Sequence, residues 1–159
     1  MEIVLDKNNN THKYITHFKS KFDESKIVIN LKSTGIKNKP EKALWACRTD
    51  KDYWVEWCKD NIDDTVDIYV DKKTFSLKEG SKIYTIDKVD DVYYLAEKEY
   101  FIPVYHNDVC LDFPRLPYDA IEYNDACIGH FFYDNFETSF NSWDVECLLV
   151  LNPNIILWD

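Results

Sequence analysis

Five apolar residues in a row, Cys147-Leu148-Leu149-Val150-Leu151, stand between Glu146 and the turn-like Asn152-Pro153-Asn154. A strand without alternation has no side to give to water, so it fits a central position, covered on both faces. The run is far too short for the roughly 20 apolar residues of a membrane span. Ile155 to Trp158 then returns to close the sheet.

The rest of the chain supplies partners for that strand. Residues 1–5 form a short first strand, followed by the turn Lys7-Asn8-Asn9-Asn10. Lys13 to Phe18 reads KYITHF, β-branched and aromatic, and predicts a second. Ala43 to Cys47 is a short buried strand, and Lys82 to Ile86 another, after the turn Glu79-Gly80-Ser81. Thr65 to Val70 alternates, with Val66, Ile68 and Val70 on one face, as a half-exposed strand does. Phe101 to Tyr105 and Tyr118 to Tyr123 complete the set, and Pro114 and Pro117 mark a loop around Arg115.

Helices are few. Asp23 is placed to cap one over 24–34, closed by Gly35, although Ile27-Val28-Ile29 is equally a strand. Asp50 caps a second, with Trp54, Trp57, Cys58 and Ile62 at helical spacing. Asp87 caps a third, with Val89, Val92, Tyr93 and Ala96 inward. This is an α+β pattern rather than a regular βαβ series. At 159 residues, residues 1–159 read as a single domain able to bury a core without disulfides.

The net charge of −10 disfavours nonspecific nucleic-acid binding, which needs cationic surface. It suits either simple solubility or a basic protein partner. The five cysteines, at 47, 58, 110, 127 and 147, are odd in number and show no CxxC spacing. Dispersed thiols in such a chain point to a reducing compartment. The start MEIVLDKNNN lacks the basic and apolar regions of a signal peptide. The expected location is a cytoplasm, with no membrane segment.

Three constellations carry chemistry. Asp144 and Glu146, two apart at the mouth of the apolar strand, share a face. They either solvate the strand end or accept hydrogen bonds from sugar hydroxyls and stabilise cationic charge. His17 either serves the fold or, as a neutral imidazole, bonds a ligand hydroxyl. Trp45 with Tyr53, Trp54 and Trp57 is either core or a slot for a planar ring. Arg48 and Arg115 have the fork that matches a pyrophosphate. Cys127 with His130, and His106 with Cys110, have the spacing of half a metal site without a second half, so no metal is expected. The chain carries no phosphate-binding glycine loop, no GxGxxG and no GxSxG elbow.

Taken in order, these pieces resemble the ADP-ribosyltransferase-like family, in the small bacterial and phage version with a His, an aromatic and a Glu. Tyr14-Ile15-Thr16-His17-Phe18 resembles the first strand, whose His holds the NAD ribose. Ala43-Leu44-Trp45-Ala46-Cys47 and Tyr53 to Trp57 are similar to the second strand and the helix that follows. Tyr118-Asp119-Ala120-Ile121 resembles the Tyr-Asp-Gly-Ile stretch that comes shortly before the catalytic Glu, here Glu146, whose strand ends in Asn152-Pro153. The chain departs from the pattern in having Ala43 and Ala120 for glycines, Ala46-Cys47 for the usual serine or threonine, and Asp144 two before the Glu.

The resemblance implies an ADP-ribosyltransferase-like fold of split sheets with a few short helices, and NAD as substrate. It implies that His17 and Trp45 act with Glu146 in catalysis and that Tyr53 or Trp57 stacks on nicotinamide. Arg48 would reach the pyrophosphate, and Asp144 would orient the acceptor of ADP-ribose, a protein side chain, a nucleic-acid base or water. The alternative function is a non-catalytic acidic protein of phage or mobile-element type, working in a host cytoplasm and covering a basic protein.

Overall fold

The computed structural model describes the chain apart from residues 10, 35–37, 62–68, 105–107, 125–129, 134–135, 141–142 and 144, and apart from the side chains of 130–133, 136, 137 and 139. The described residues hold fourteen strands and two α-helices. In chain order these are β1 (Glu2–Val4), β2 (Tyr14–Phe18), β3 (Asn30–Ser33), β4 (Pro40–Lys42), β5 (Leu44–Arg48), α1 (Trp54–Asn61), β6 (Asp71–Leu77) and β7 (Lys82–Ile86). There follow α2 (Val89–Glu97), β8 (Phe101–Pro103), β9 (Val109–Leu111), β10 (Ala120–Tyr123), β11 (His130–Tyr133), β12 (Phe136–Ser139), β13 (Cys147–Val150) and β14 (Ile156–Trp158). The chain is therefore mixed helix and strand, with strands dominant. Among the described residues no helix is long and apolar enough to cross a membrane.

Eight strands form one sheet in the order β1-β7-β10-β13-β5-β2-β6-β14. The expected central strand is β13, antiparallel to β10 on one side and β5 on the other and buried at every position. All neighbours are antiparallel except β7 and β10. Strands β6 and β7 are joined by residues 78–81 alone, yet stand near opposite ends of the order. The sheet must therefore curl until its ends approach. One turn ties both edges: Leu5, just after β1, bonds Ser81 and Gly80, while Lys78 donates to the Ile155 carbonyl just before β14. Gly80 makes that turn at φ +86, where a side chain is strained.

The alternation of side chains along each strand fills two apolar layers. Tyr14, Leu44, Ala46, Phe75, Leu77, Ile83, Leu148 and Val150 meet inside the curl. Tyr84, Ile121, Tyr123 and Leu149 point outward into a second layer that includes Val92 and Leu95 of α2.

Several local expectations are corrected. The helix over 24–34 is a single 3-10 turn, Glu24–Lys26, with Asp23 accepting from the Ser25 amide, and the chain then extends into β3. Asp50 lies inside another 3-10 turn, Thr49–Lys51, so the aromatic helix begins at Trp54. The cap of α2 comes from within: Asp91, not Asp87, accepts the amides of Asp87 and Lys88 at 2.9 and 3.2 Å. Val89 is exposed and Leu95 takes the inward place. Strand β10 is buried at all four of its residues. The strand expected over 65–70 falls mostly outside the described residues. Strand β6 follows it, where alternation of charged residues gave no signal, and only Phe75 and Leu77 are buried there.

Candidate functional site

A cavity of about 480 Å³ opens on the outer face where β2 lies beside β5. Strand pairing explains its floor. In the antiparallel ladder Ile15 stands opposite Cys47, and His17 comes two residues further along β2, on the same face. On the other flank of β5, Trp45 faces Leu149 of β13. Ile15, His17, Trp45, Cys47 and Cys147 thus share one side of the sheet and line the opening together with Val145, with Trp54, Tyr69 and Trp143 as walls.

Each aromatic wall is fixed by a bond. Trp143 meets Trp45 edge to face, with ring centroids 5.0 Å apart, and donates its indole N–H to the Asn38 carbonyl at 3.0 Å. Asn38 is buried with φ 50, a conformation Asn tolerates, and its side chain also ties Leu111 and Thr138. Trp54 donates to the Tyr69 hydroxyl at 3.0 Å and stacks on Trp57. Thr16 anchors β2 by donating to the Trp45 carbonyl at 2.9 Å.

The charge of the opening runs against that of the chain. Lys19, Lys21, Lys26 and Lys39 line it beside a single acidic residue, Asp23, among the described residues. The Lys39 ammonium lies 5.5 Å from the centre of the Trp45 ring, within cation–π range. A more open groove of about 730 Å³ continues past Lys26, Lys39 and Trp45 along β4.

His17 is 12% exposed, and its Nε2 lies 2.9 and 3.0 Å from the two Asp52 oxygens. A carboxylate only accepts, so Nε2 carries a proton and the Asp52 pair fixes the ring. Cys47 sits against the start of α1. Burial pushes its thiol up to about 11 and the nearby Asp52 adds to the rise, while hydrogen bonds from the Trp54 and Tyr53 amides act against it.

The remaining expected site residues are elsewhere. Val145 and Cys147 line the cavity and Glu146, in the bend that leads into β13, does not. Glu146 instead accepts from Lys51 at 3.0 Å, an interaction that raises the Lys51 ammonium above its ordinary range. Arg48 turns to Glu122, donating from Nε at 3.1 Å and from Nη2 to the other oxygen. Tyr14 donates to the same carboxylate at 2.7 Å, and burial first, then the Glu122 charge, holds its phenol far above the usual range. That fork is therefore occupied by a side chain 7% exposed rather than offered to a pyrophosphate. Arg115 bonds the Glu99 carbonyl and Asp112.

Tyr53 is 52% exposed and, like Trp57, is not among the lining residues. Asp144 lies outside the described residues, as do His106 and Cys127 and the side chain of His130. Among the described residues no three ligand-type side chains gather as a metal site.

The structure thus brings His17 and Trp45 together and leaves Glu146, Arg48, Tyr53 and Trp57 out. Sequence reasoning missed Asp52, Lys39 and Trp143. Asp52 had a signal, an acid beside the aromatic helix start, which the reading spent on Asp50 as a cap. Asp119 and Asn152 prove to be a staple: Asp119 accepts from the Lys82 amide at 2.8 Å and from the Asn152 side chain at 2.9 Å. No family model, no characterised protein and no solved structure matches this chain.

Proposed function

We propose that this chain binds a nucleotide in the cavity between β2 and β5, with NAD as the leading candidate, within an ADP-ribosyltransferase-like fold. The carrying observation is the pairing of an aromatic opening with four lysines in a chain of net charge −10. Indoles offer a planar ring its stacking partners, and ammonium groups offer phosphates theirs. The adjoining groove, reached past Lys26, Lys39 and Trp45, extends the site beyond a single ring. His17, held by Asp52, presents its other nitrogen for a ribose hydroxyl.

A second observation supports the family reading. The segments that resemble the family's strands lie side by side, with β10, β13, β5 and β2 as consecutive neighbours. Transfer of ADP-ribose to a macromolecular acceptor is the reaction this reading leads to, through Glu146 at the ribose 2′-hydroxyl. With Glu146 on Lys51, that step needs the pair broken and the bend at 145–146 turned over; binding does not.

The test is a titration of NAD followed by tryptophan emission, with Trp45→Ala, His17→Ala and Glu146→Gln alongside. Saturable quenching that Trp45→Ala removes, His17→Ala weakens and Glu146→Gln spares is the expected result. Nicotinamide release that Glu146→Gln abolishes would extend the reading to catalysis. No response at millimolar NAD overturns it and leaves the acidic partner-binding protein as the better account.

A further inference from the structure

We propose that Cys47 and Cys147 form a paired oxidation site in the floor of the cavity, closing to a cross-strand disulfide when a peroxide enters. The argument starts from register. Leu148 stands opposite Ala46, Leu149 opposite Trp45 and Val150 opposite Leu44. The ladder between the two strands ends at Leu148 and Ala46, and one residue further in the same register come Cys147 and Cys47. Both are still ladder residues on their other flanks, Cys47 against Ile15 and Cys147 against Tyr123.

Where the two strands keep their course for that one further step, the Cα atoms come about 4.5 or 5.5 Å apart, as opposed residues of an antiparallel pair do. A disulfide needs roughly 4.4–6.8 Å, so neither strand has to move far. The side chains share a face as well, because both sulfur-bearing residues line the same cavity. Burial and the nearby Asp52 keep the Cys47 thiol protonated, so the reaction is slow and calls for excess peroxide, which the opening is wide enough to admit. Cys58 and Cys110 are buried on α1 and β9 and do not line the cavity.

The chemistry balances without any other reactant. The sulfur of one thiol attacks a peroxide oxygen and the O–O bond breaks. The departing oxygen leaves as hydroxide and takes the thiol proton, giving water and a sulfenic acid. The second sulfur attacks the first, and the hydroxyl leaves with the second thiol proton as another water. Two thiols are oxidised by two electrons in all, and the peroxide is reduced. Excess dithiol reverses the link by exchange.

This inference is independent of nucleotide binding, since the link requires only the two thiols and an open path to them. The test treats the full chain with hydrogen peroxide, counts thiols and maps peptides without reduction. The expected result is loss of two of the five thiols, with the Cys47 and Cys147 peptides joined and separated again by dithiol. Cys47→Ser and Cys147→Ser should each abolish that joined species, and the wild-type map decides the matter alone if a variant does not fold. Retention of all five thiols, a link between another pair, or sulfinic acid at either position without a link would overturn the proposal.

Discussion

On the inner face of the curled sheet, Phe75, Leu77, Leu148 and Val150 are sealed by one another, and the polar groups at the end of that layer, Tyr14, Arg48 and Glu122, are spent on one another. On the outer face, alternate residues of the same strands include His17, Trp45 and Cys47, which border open space. The difference follows from curvature. A sheet of eight strands that curls until its ends approach leaves an interior that side chains fill. Space for a ligand must then lie outside, where α2 and the loops cover only part of the sheet. Polar residues facing inward read as structure, and polar residues facing the uncovered part read as function.

Paired substitutions give the sharpest way to break that contrast. Phe75→Ala empties a fully buried site and should cost about 4 kcal/mol, as aromatic-to-alanine changes in cores do. Trp45→Ala removes a larger ring from a half-buried place and should cost well under half as much, about 1.5 kcal/mol. Urea unfolding of the two variants reads this directly. Equal losses would make the outer aromatics core rather than site.

Glu122→Ala comes next. It strips the partner from Arg48 and Tyr14 and should destabilise by about 3 kcal/mol, at the low end for a broken buried pair because Arg48 keeps 24% of its exposure. A small loss would show that the inner face tolerates an unpaired charge and would blunt the comparison. The smallest effect belongs to Lys51→Ala, which cuts an ion pair open to water. The urea midpoint should stay where it is, while any nicotinamide release that depends on Glu146 should rise as that carboxylate is freed.

The sequence made the apolar strand β13 and the strand β7 legible, because unbroken or β-branched runs declare burial without help from distant residues. Strand β6 hid behind Asp71-Lys72-Lys73, since its burial is confined to its last residues. The inward role of Glu122 was out of reach for another reason: its partners Tyr14 and Arg48 lie 108 and 74 positions away, and only the curl brings them to it. In the site, His17 and Trp45 were found from residue type and order. Glu146 was matched in order, but it lies in a bend ahead of β13, so its direction does not follow from strand spacing. The same limit hid the opposition of Cys47 and Cys147, which appears only once β5 and β13 are laid in register.

The turn at 78–81 has a consequence for how the chain reaches its shape. It is the seam where both ends of the sheet meet, through Leu5 on one side and Ile155 on the other. No local segment can close it, because its two partners come from opposite ends of the described chain. Contacts between distant positions slow folding, into the range of milliseconds to seconds for strand-rich domains. Strands β1 and β14 are the two edges of the sheet, and until the seam forms nothing holds them in place against pairing with another copy of the chain. A four-residue link with one glycine at φ +86 thus stands between a finished fold and a sticky intermediate.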